Sequence, residues 1–253
     1  QRRRMEKELR VMQDELEQRV SRRTYELAST EEKLRSKVYE VRRAEDQLQN
    51  MLDKLRKALE GTVRAMSLTI EMRDLYTAGH QRRVMDLAVA IAMEMCLPEE
   101  KIEGIRVAGV IHDIGKIAMP AEILAKPTKL TRTEFQLIKD HPKVGYDILK
   151  SIEFPWPVAH IVLQHHERMD GSGYPEGLSG DAILIEARIL AVADVVEATS
   201  SHRPYRPAQG LQKALDEIQK NRGVLYDRNV VDACLKLFKQ RRYKFEVDST
   251  QIM

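Results

Sequence analysis

Histidines are placed unevenly in this chain of 253 residues, and their placement constrains the fold more than any other feature. Five of the seven histidines stand in four short clusters that are far apart along the chain, and two of these clusters also contain a carboxylate. In chain order the clusters are Gly79-His80, His112-Asp113, His141-Pro142 and His165-His166-Glu167. Random placement does not produce this pattern, so the fold is expected to bring the segments that carry these clusters together.

A further carboxylate, Asp194, lies on an apolar stripe formed by Ala187, Leu190, Ala191 and Ala198. An unpaired charge on that face would cost several kcal/mol, and a cation is its natural partner. Imidazole and carboxylate ligands without cysteine suit divalent Mn, Fe, Ni or Zn, and there are more of them than one closed four-coordinate site needs. The sequence therefore predicts a hydrolytic centre with two metal ions.

Composition excludes several classes of protein. The chain is 32% charged and 5% aromatic, and no run of residues approaches the roughly 20 apolar residues of a membrane span. Residues 1–60 hold 16 Lys/Arg and 13 Asp/Glu, so the net charge of +3 belongs to this segment, and the neutral remainder argues against nucleic-acid binding. Cys96 and Cys234 lie in apolar helical contexts, which favours buried free thiols and a cytoplasmic location. The start at Gln1, with no signal peptide, indicates a piece of a longer protein whose upstream sensor or receiver domain is absent.

The first 60 residues have the composition of a long exposed helix, with dense mixed charge and no proline or glycine. Their apolar residues repeat every seven positions, which indicates the seam of a coiled coil. The seam consists of Leu27, Leu34, Val41, Leu48 and Leu55, with Val38, Leu52 and Leu59 at the alternate core position. An earlier seam in residues 5–16 joins it through a shift of register near Val20. Although Glu31 and Glu45 weaken the core, we predict a parallel coiled coil that forms a homodimer; the alternative is a single solvated helix.

From about Thr62 onward the pattern changes to short amphipathic helices that are separated by glycine, proline and aspartate. The segment 182–198 contains Ile183-Leu184-Ile185, which is compatible with a strand, but its length and its alanines favour a helix. No strand pattern persists elsewhere. We therefore predict an all-α bundle of about seven to nine helices, with metal ligands projecting inward from several of them.

Each histidine cluster is expected at a helix end or on an apolar helix face. One helix ends at His112-Asp113, where Gly115 is expected to close it, and another begins at His141. The pair His165-His166 is expected on an apolar helix face, where two buried imidazoles without partners would lose solvation and gain nothing. Taken alone, His80 and His141 are equally well explained as core or capping histidines.

A glycine-rich loop, Asp170-Gly-Ser-Gly-Tyr-Pro175, follows the last histidine cluster. Its glycines let backbone N–H groups approach a ligand, and Tyr174 offers a ring for stacking and a hydroxyl for hydrogen bonding. A tight turn at Gly115 is expected to return Lys116 toward a phosphate that is bound on the metals. These two segments are the predicted ligand contacts beside the metal centre.

Together these segments closely resemble the HD-GYP family, which comprises cyclic di-GMP phosphodiesterases within the HD superfamily of metal-dependent phosphohydrolases. The resemblance covers about 62 to 242. It rests on Arg73-Asp74 to His80, His112-Asp113-Ile-Gly-Lys116, His141-Pro142, His165-His166-Glu167, Asp170-Gly-Ser-Gly-Tyr-Pro175, Asp194 and Arg203-Pro-Tyr-Arg206. It implies an HD-type helical phosphodiesterase domain over 62–242. The heptad pattern predicts a coiled-coil signalling helix over 1–61 before this domain, and residues 243–253 are interpreted as a C-terminal tail.

The resemblance also implies roles for individual residues. The implied metal ligands are His80, His112, Asp113, His141, His165, His166 and Asp194. Asp113 and Lys116 would be catalytic, with Lys116 on the scissile phosphate, while Tyr174, Arg203 and Arg206 would hold the dinucleotide. His160 and His202 match no motif position and are interpreted as structural or surface residues.

The chain departs from the family pattern at two positions. Tyr76 stands where some members carry a glutamate and assemble three metals, so two divalent ions are expected here, Fe or Mn first and Ni or Zn as alternatives. Glu197 stands where aspartate is usual, one turn after Asp194, which lengthens a contact around the metals.

The resemblance implies that the chain hydrolyses cyclic di-GMP to linear pGpG, or to GMP after a second round, and we expect metal-activated hydroxide to be the nucleophile. The coiled coil is expected to transmit a signal from the upstream domain to the helix that leads to His80. Two alternatives remain open: a catalytically weak sensor that binds cyclic di-GMP, and an HD phosphohydrolase of another cyclic dinucleotide.

Overall fold

The computed structural model describes residues 2–73, 79–126, 128–201 and 210–245. The chain divides into two units, residues 1–60 and residues 61–253. No helix within the described ranges combines the length and the apolar character needed to cross a membrane.

The first unit is part of a single helix, α1, which runs from Arg2 to Arg73. Its sequence is dominated by good helix formers, and ion pairs across one turn, such as Arg22 with Glu26 at 3.1 Å, add a small stabilisation. The apolar seam is exposed in the single chain, with Leu34 at 63% and Leu55 at 66% of their accessible area. The predicted long helix is confirmed, whereas its partner helix stays a prediction.

Helix α1 passes the expected boundary near residue 61 without a break. Gly61 lies inside the helix, and no atom lies within 4 Å of the position that a Cβ would occupy. Beyond it, Val63 and Ile70 are buried in the core of the second unit. Because this burial stabilises the helical conformation of residues 62–73, α1 continues past the end of the heptad pattern.

Nine further α-helices follow α1 in the described part of the chain. They are α2 (His80–Glu94), α3 (Glu99–Ile111), α4 (Ala121–Leu124), α5 (Arg132–Ile138), α6 (His141–Leu149), α7 (Val158–Gln164), α8 (Ile185–Ser200), α9 (Leu211–Lys220) and α10 (Arg228–Lys239). Two 3-10 turns occupy Ile114–Ala118 and Gly180–Ala182. β pairing among the described residues is limited to two isolated bridges. The prediction of an all-α fold is confirmed, and the segment after Ile183 is helical.

The core of the second unit is built around α2, which packs mainly against α3 and α8. Val84, Leu87 and Ile91 on α2 are fully buried, as the apolar stripe in the sequence predicts. Ile105 on α3 and Leu190 on α8 are buried to the same extent, and each such side chain contributes about 1.5–3 kcal/mol. This packing holds the start of α2, the end of α3 and the middle of α8 near one another.

Two of the predicted helix positions are wrong. Helix α3 ends at Ile111, and Gly115 lies in the following 3-10 turn, so it does not close α3. Helix α7 ends at Gln164, so the histidine pair follows the helix instead of lying on its apolar face. In both places the imidazole that follows the helix forms a hydrogen bond with a carbonyl of the last helical turn, a local contact that apolar periodicity does not reveal.

The two cysteines have different environments, and both are free thiols. Cys234 on α10 is buried, and burial raises the pKa of its thiol to about 12. Cys96 is exposed and adopts a φ of 55° in the turn after α2. The prediction that both thiols are buried is therefore wrong for Cys96, because the apolar residues before it belong to α2 while the turn places the cysteine outside the core.

Candidate metal centre

Three helix ends hold one imidazole each in the same way. The last carbonyl groups of an α-helix have no partner inside the helix, and here a histidine that stands three residues later donates to one of them. His112 Nδ1 donates to Gly109 O at 2.8 Å after α3, His141 Nδ1 to Ile138 O at 2.7 Å after α5, and His165 Nδ1 to Val162 O at 2.6 Å after α7. This contact assigns the proton of each ring to Nδ1 and leaves Nε2 as the atom that can bind a metal.

The Nε2 atoms of these three rings converge on the carboxylate of Asp113. His141 Nε2 lies 3.3 Å from His165 Nε2 and 3.3 Å from Asp113 Oδ1. His112 Nε2 lies 3.5 Å from Asp113 Oδ2. All four side chains are buried. Imidazole nitrogens and carboxylate oxygens at one buried point form the donor set of a borderline divalent cation.

A second set of ligand atoms comes from α2 and α8. His80 Nε2 lies 3.4 Å from Asp194 Oδ1 and 3.9 Å from Asp113 Oδ2. The potential ligand atoms fall into three groups, and within each group the atoms lie no more than 4.8 Å apart. The groups are His141, His165 and His166; His80, His112 and Asp194; and His112, Asp113 and His165. The groups overlap through His112 and His165, so the ligand atoms form one continuous set.

Glu197 orients His80 from the outer side of the cluster. Its carboxylate, which is 1% exposed, accepts a hydrogen bond from His80 Nδ1. The same carboxylate accepts from Arg83 Nε at 2.7 Å and from Ser201 Oγ at 2.7 Å. Burial lowers the pKa of His80, but the hydrogen bonds with Asp194 and Glu197 outweigh it and raise this pKa to about 9. A cation on Nε2 would take the place of the proton that His80 otherwise carries there.

We expect Glu197→Ala to weaken metal binding about 10- to 100-fold, because the carboxylate partner of a ligating histidine fixes its ring and its tautomer. Titration calorimetry with Mn²⁺ measures this change. Glu186, another buried glutamate of α8, pairs with Lys101 at 3.2 Å and offers the matched control, since Glu186→Ala is expected to leave the metal affinity unchanged. An unchanged affinity in the Glu197 variant would contradict the assigned role.

Some of the Nε2 atoms in the cluster lack the hydrogen-bond partners that buried polar atoms normally have. His112 Nε2 is buried and has no hydrogen-bond partner in the described part of the chain. His141 and His165 face each other through their Nε2 atoms, although each ring already donates through Nδ1 and so carries no proton there. Nitrogen lone pairs that point at one another repel unless a cation lies between them. The side chains present therefore fit divalent metal ions.

Burial and neighbouring charges set the protonation of the cluster. Burial lowers the pKa of His141 to about 4 and lowers the pKa of His165 and His166 well below the usual value. Burial raises the pKa of Asp113, but Lys116 and the surrounding histidines outweigh this effect and hold that pKa well below its usual range. At neutral pH these imidazoles are neutral and the carboxylate is charged, which are the forms that bind metals.

Lys116 reaches the cluster because Gly115 lets the 3-10 turn touch α6. A Cβ on Gly115 would stand 1.9 Å from the carbonyl oxygen of His141 and 2.7 Å from the backbone nitrogen of Gly145. The turn places Lys116 Nζ 2.7 Å from Asp113 Oδ2. Glycine is therefore required here for the close approach of two backbone segments, and not for the end of α3.

The loop after the histidine pair is organised by Glu167, a role that the sequence did not reveal. Glu167 is 2% exposed. Its carboxylate accepts hydrogen bonds from the backbone N–H groups of Glu176 at 2.8 Å, Gly177 at 3.2 Å and Leu178 at 3.0 Å. Tyr174 N donates to His166 O at 3.3 Å, and the Tyr174 ring centroid lies 4.7 Å from that of His166. The loop is thus fixed to the same histidine pair that contributes to the cluster.

The structure brings together nine of the residues predicted for the site. They are His80, His112, Asp113, Lys116, His141, His165, His166, Tyr174 and Asp194. Tyr76, His202, Arg203 and Arg206 lie outside the described residues, and His160 is exposed against Tyr146. Arg83 was not predicted from the sequence. Helical spacing offers a signal for it: Arg83 follows His80 by three residues on α2, and Glu197 follows Asp194 by three residues on α8.

Residues 64–230 match the family model described as the HD domain. The chain belongs to the HD domain family. Its relatives include the cyclic di-GMP phosphodiesterase response regulator RpfG of Xanthomonas campestris, 44% identical over 69% of this chain and 47% of that protein. A cyclic di-GMP phosphodiesterase of Thermotoga maritima is 44% identical over 69% of this chain and 48% of its own length. The predicted resemblance to the HD-GYP family is confirmed.

Other relatives of this HD domain chain are named for a different substrate. A 3'3'-cGAMP-specific phosphodiesterase of Vibrio cholerae is 36% identical over 64% of this chain and 35% of that protein. The chain spans about half the length, or less, of the curated relatives that it matches.

Solved structures support the HD fold. Bd1817 from Bdellovibrio bacteriovorus, described as a HDG"Y"P protein, superposes with a TM-score of 0.54 at 18% identity, covering 63% of this chain and 51% of that one. The HD domain of the phosphodiesterase PgpH from L. monocytogenes superposes with a TM-score of 0.51 at 21% identity, covering 70% of this chain and 99% of that one.

Proposed function

We propose that this HD domain chain is the catalytic part of a metal-dependent cyclic di-GMP phosphodiesterase, with pGpG as its product and GMP after a second round. The observation that carries the proposal is the convergence of five imidazoles and two carboxylates at one buried cluster, with the Lys116 ammonium bonded to it. The names of two relatives that are 44% identical support the choice of cyclic di-GMP as the substrate.

We assign the metal ligands as His80, His112, Asp113, His141, His165, His166 and Asp194, holding two divalent ions, with Fe or Mn preferred. Such ions, when bound, supply Lewis acidity and lower the pKa of water toward neutrality. Asp113 approaches His141 with one carboxylate oxygen and His112 with the other, so both of its oxygens would be available as metal ligands. Lys116, bonded to the second of these oxygens, places a positive charge where negative charge develops on phosphorus oxygens.

Tyr174 is the proposed contact for the dinucleotide inside the described residues. Its ring is half-buried beside His166, so that a bound nucleotide and the metal ligands would share one wall of the site. Burial raises the pKa of its hydroxyl, which therefore stays protonated and can donate a hydrogen bond. Arg203 and Arg206 are proposed as further contacts with the substrate on the strength of the family motif alone.

Cyclic GMP-AMP is the second candidate substrate, because relatives at 36% and 35% identity are named as 3'3'-cGAMP-specific phosphodiesterases. One argument for the sensor alternative is weaker in the light of a contact made by Glu197. Glu197, which stands where the family usually has aspartate, reaches His80 directly and is bonded to it, and this favours an intact site over a catalytically weak one.

Turnover of cyclic di-GMP, cyclic GMP-AMP and mononucleotides by protein loaded anaerobically with Mn²⁺ or Fe²⁺ tests the proposed function. We expect cyclic di-GMP to be consumed fastest, with pGpG appearing first by product chromatography. Chelation with EDTA is expected to remove the activity, and added Mn²⁺ to restore it. Faster hydrolysis of cyclic GMP-AMP would select the second substrate, and tight binding of cyclic di-GMP without any product would select the sensor.

We further propose that residues 1–61 form a parallel coiled-coil dimer with a second copy of this chain and connect an upstream sensor or receiver domain to the phosphodiesterase domain of residues 62–242. The heptad residues of α1, such as Leu34 and Leu55, are exposed in the single chain and would be covered by the second helix. We propose that the protein is located in the cytoplasm. We also propose that residues 243–253 form a C-terminal tail. Sedimentation as a monomer would contradict the dimer.

A further inference from the structure

Helix α5 has no buried residue, and it exposes two large apolar side chains. Phe135 is 48% exposed and Leu137 is 43% exposed. The helix is fixed by polar contacts at its start, where Thr131 and Glu134 form a capping box. Lys126 Nζ donates to both oxygens of Glu134, at 2.7 and 2.8 Å. Hydrophobic packing therefore does not explain why an aromatic side chain stands at position 135.

Lys139, the residue after α5, connects Phe135 to the candidate metal centre. Its Nζ lies 5.4 Å from the ring centroid of Phe135 and 5.1 Å from the ring centroid of Tyr174. The Tyr174 ring in turn lies 4.7 Å from the ring of His166. Phe135, Lys139, Tyr174 and His166 thus form a continuous row, which we call the aromatic row, from the exposed face of α5 to the metal ligands.

The ammonium of Lys139 lies between two aromatic rings, and no carboxylate reaches it within the part of the chain that the structure describes. Neighbouring lysines do have such partners: Lys116 pairs with Asp113 and Lys126 with Glu134. Lys139 is half-buried beside two ring faces, which leaves its positive charge available to an anionic ligand. An anionic ligand would complete its coordination.

A cyclic dinucleotide carries the chemical groups that the aromatic row can hold. The molecule has two phosphates and two purines, and only one phosphate can be cleaved at the metal centre at a time. The second nucleotide must therefore extend toward the surface, where a cation and an exposed aromatic ring are the groups that hold a nucleotide without sequence readout. We propose that Phe135 and Lys139 form an outer subsite, in which Phe135 stacks on the purine of the nucleotide that is not being cleaved and Lys139 contacts its phosphate. This inference rests on the proposed function.

Steady-state kinetics of Phe135→Ala and Lys139→Met tests the subsite with two substrates, cyclic di-GMP and methyl p-nitrophenyl phosphate, a small diester that lacks a second nucleotide. We expect each variant to raise KM for cyclic di-GMP roughly five- to thirtyfold, with kcat changed less than about twofold. The small diester is expected to be hydrolysed at the wild-type rate, because the metal ligands are intact. Lys139→Arg, which keeps the cation, is expected to recover most of the KM.

Matched controls come from the same surface. Leu137→Ala removes an equally exposed apolar side chain from α5, and Lys143→Ala removes an exposed lysine from α6, and both are expected to keep the wild-type KM. An unchanged KM for cyclic di-GMP in the two test variants, in an enzyme that hydrolyses it, would overturn the subsite while the proposed function stands. An equal loss on both substrates would also overturn it, since that result indicates a disturbed metal centre. Wild-type protein that hydrolyses the small diester but no cyclic dinucleotide would overturn the proposed function, and the subsite with it.

Discussion

Replacement of His112 and Asp113 together by alanine is expected to abolish both metal retention and diester hydrolysis. Loss of a single outer partner of a ligand typically costs 10- to 100-fold, so loss of two ligands, one of them central, is expected to lower kcat by far more than about a hundredfold. His112 Nε2 and both oxygens of Asp113 face the cluster, and the removal of Asp113 also leaves Lys116 without the carboxylate to which it is bonded. Metal content and turnover of cyclic di-GMP and of a small diester measure the effect.

His160→Ala is the matched control for this experiment. His160 is an exposed imidazole on α7 that packs edge-on against Tyr146 and contributes no ligand atom to the cluster. We expect this variant to retain its metal and its rate. Circular dichroism distinguishes loss of the site from loss of the fold, and diester hydrolysis that survives in the folded double variant would contradict the assignment of the centre.

Gly115→Ala is expected to destabilise the protein by about 3 kcal/mol or more, the upper range for overpacking in a tight interior. The added Cβ would stand 1.9 Å from the carbonyl oxygen of His141, which is backbone and cannot move aside as a side chain can. The 3-10 turn and α6 would have to separate, and this separation would move Lys116 and His141 away from Asp113. In thermal unfolding we expect a fall in Tm of roughly 6–12 °C, together with weaker metal binding.

Gly61→Ala is the control for the glycine variant. Gly61 lies inside α1, and an added Cβ would have nothing within 4 Å of it, so alanine there is expected to be neutral or to stabilise the helix by up to about 1 kcal/mol. A wild-type Tm and wild-type metal affinity in the Gly115 variant would show that the two backbone segments do not need to touch.

The sequence, together with its resemblance to a family, predicted which side chains would meet but not how they are held. A histidine or carboxylate on an apolar helix stripe, such as Asp194, by itself indicates a binding site, because a buried charge requires a partner. The all-α architecture followed from periodicity, and the burial of Val84, Leu87 and Ile91 agrees with it. These properties depend on local sequence and on burial, so a single chain is sufficient to predict them.

The supporting contacts join residues that are far apart or depend on where helices end. The contact between His80 and Glu197 spans 117 positions, and no local pattern links the two residues. Helix ends at Ile111 and Gln164 depend on imidazoles that bond to terminal carbonyls, whereas the apolar pattern in the sequence continues past them. Gly115 lies in the predicted turn, but the need for glycine there comes from the approach of α6, and the prediction that Gly115 closes α3 was wrong.

The central claim is that imidazoles and carboxylates from separate helices hold two divalent ions, and elemental analysis of anaerobically purified protein tests it most directly. The proposed site predicts about two equivalents of Fe or Mn per chain in the wild type and close to none in the His112→Ala, Asp113→Ala double variant. Wild-type protein that hydrolyses cyclic di-GMP while containing no transition metal, or a folded double variant that keeps both ions, would contradict it.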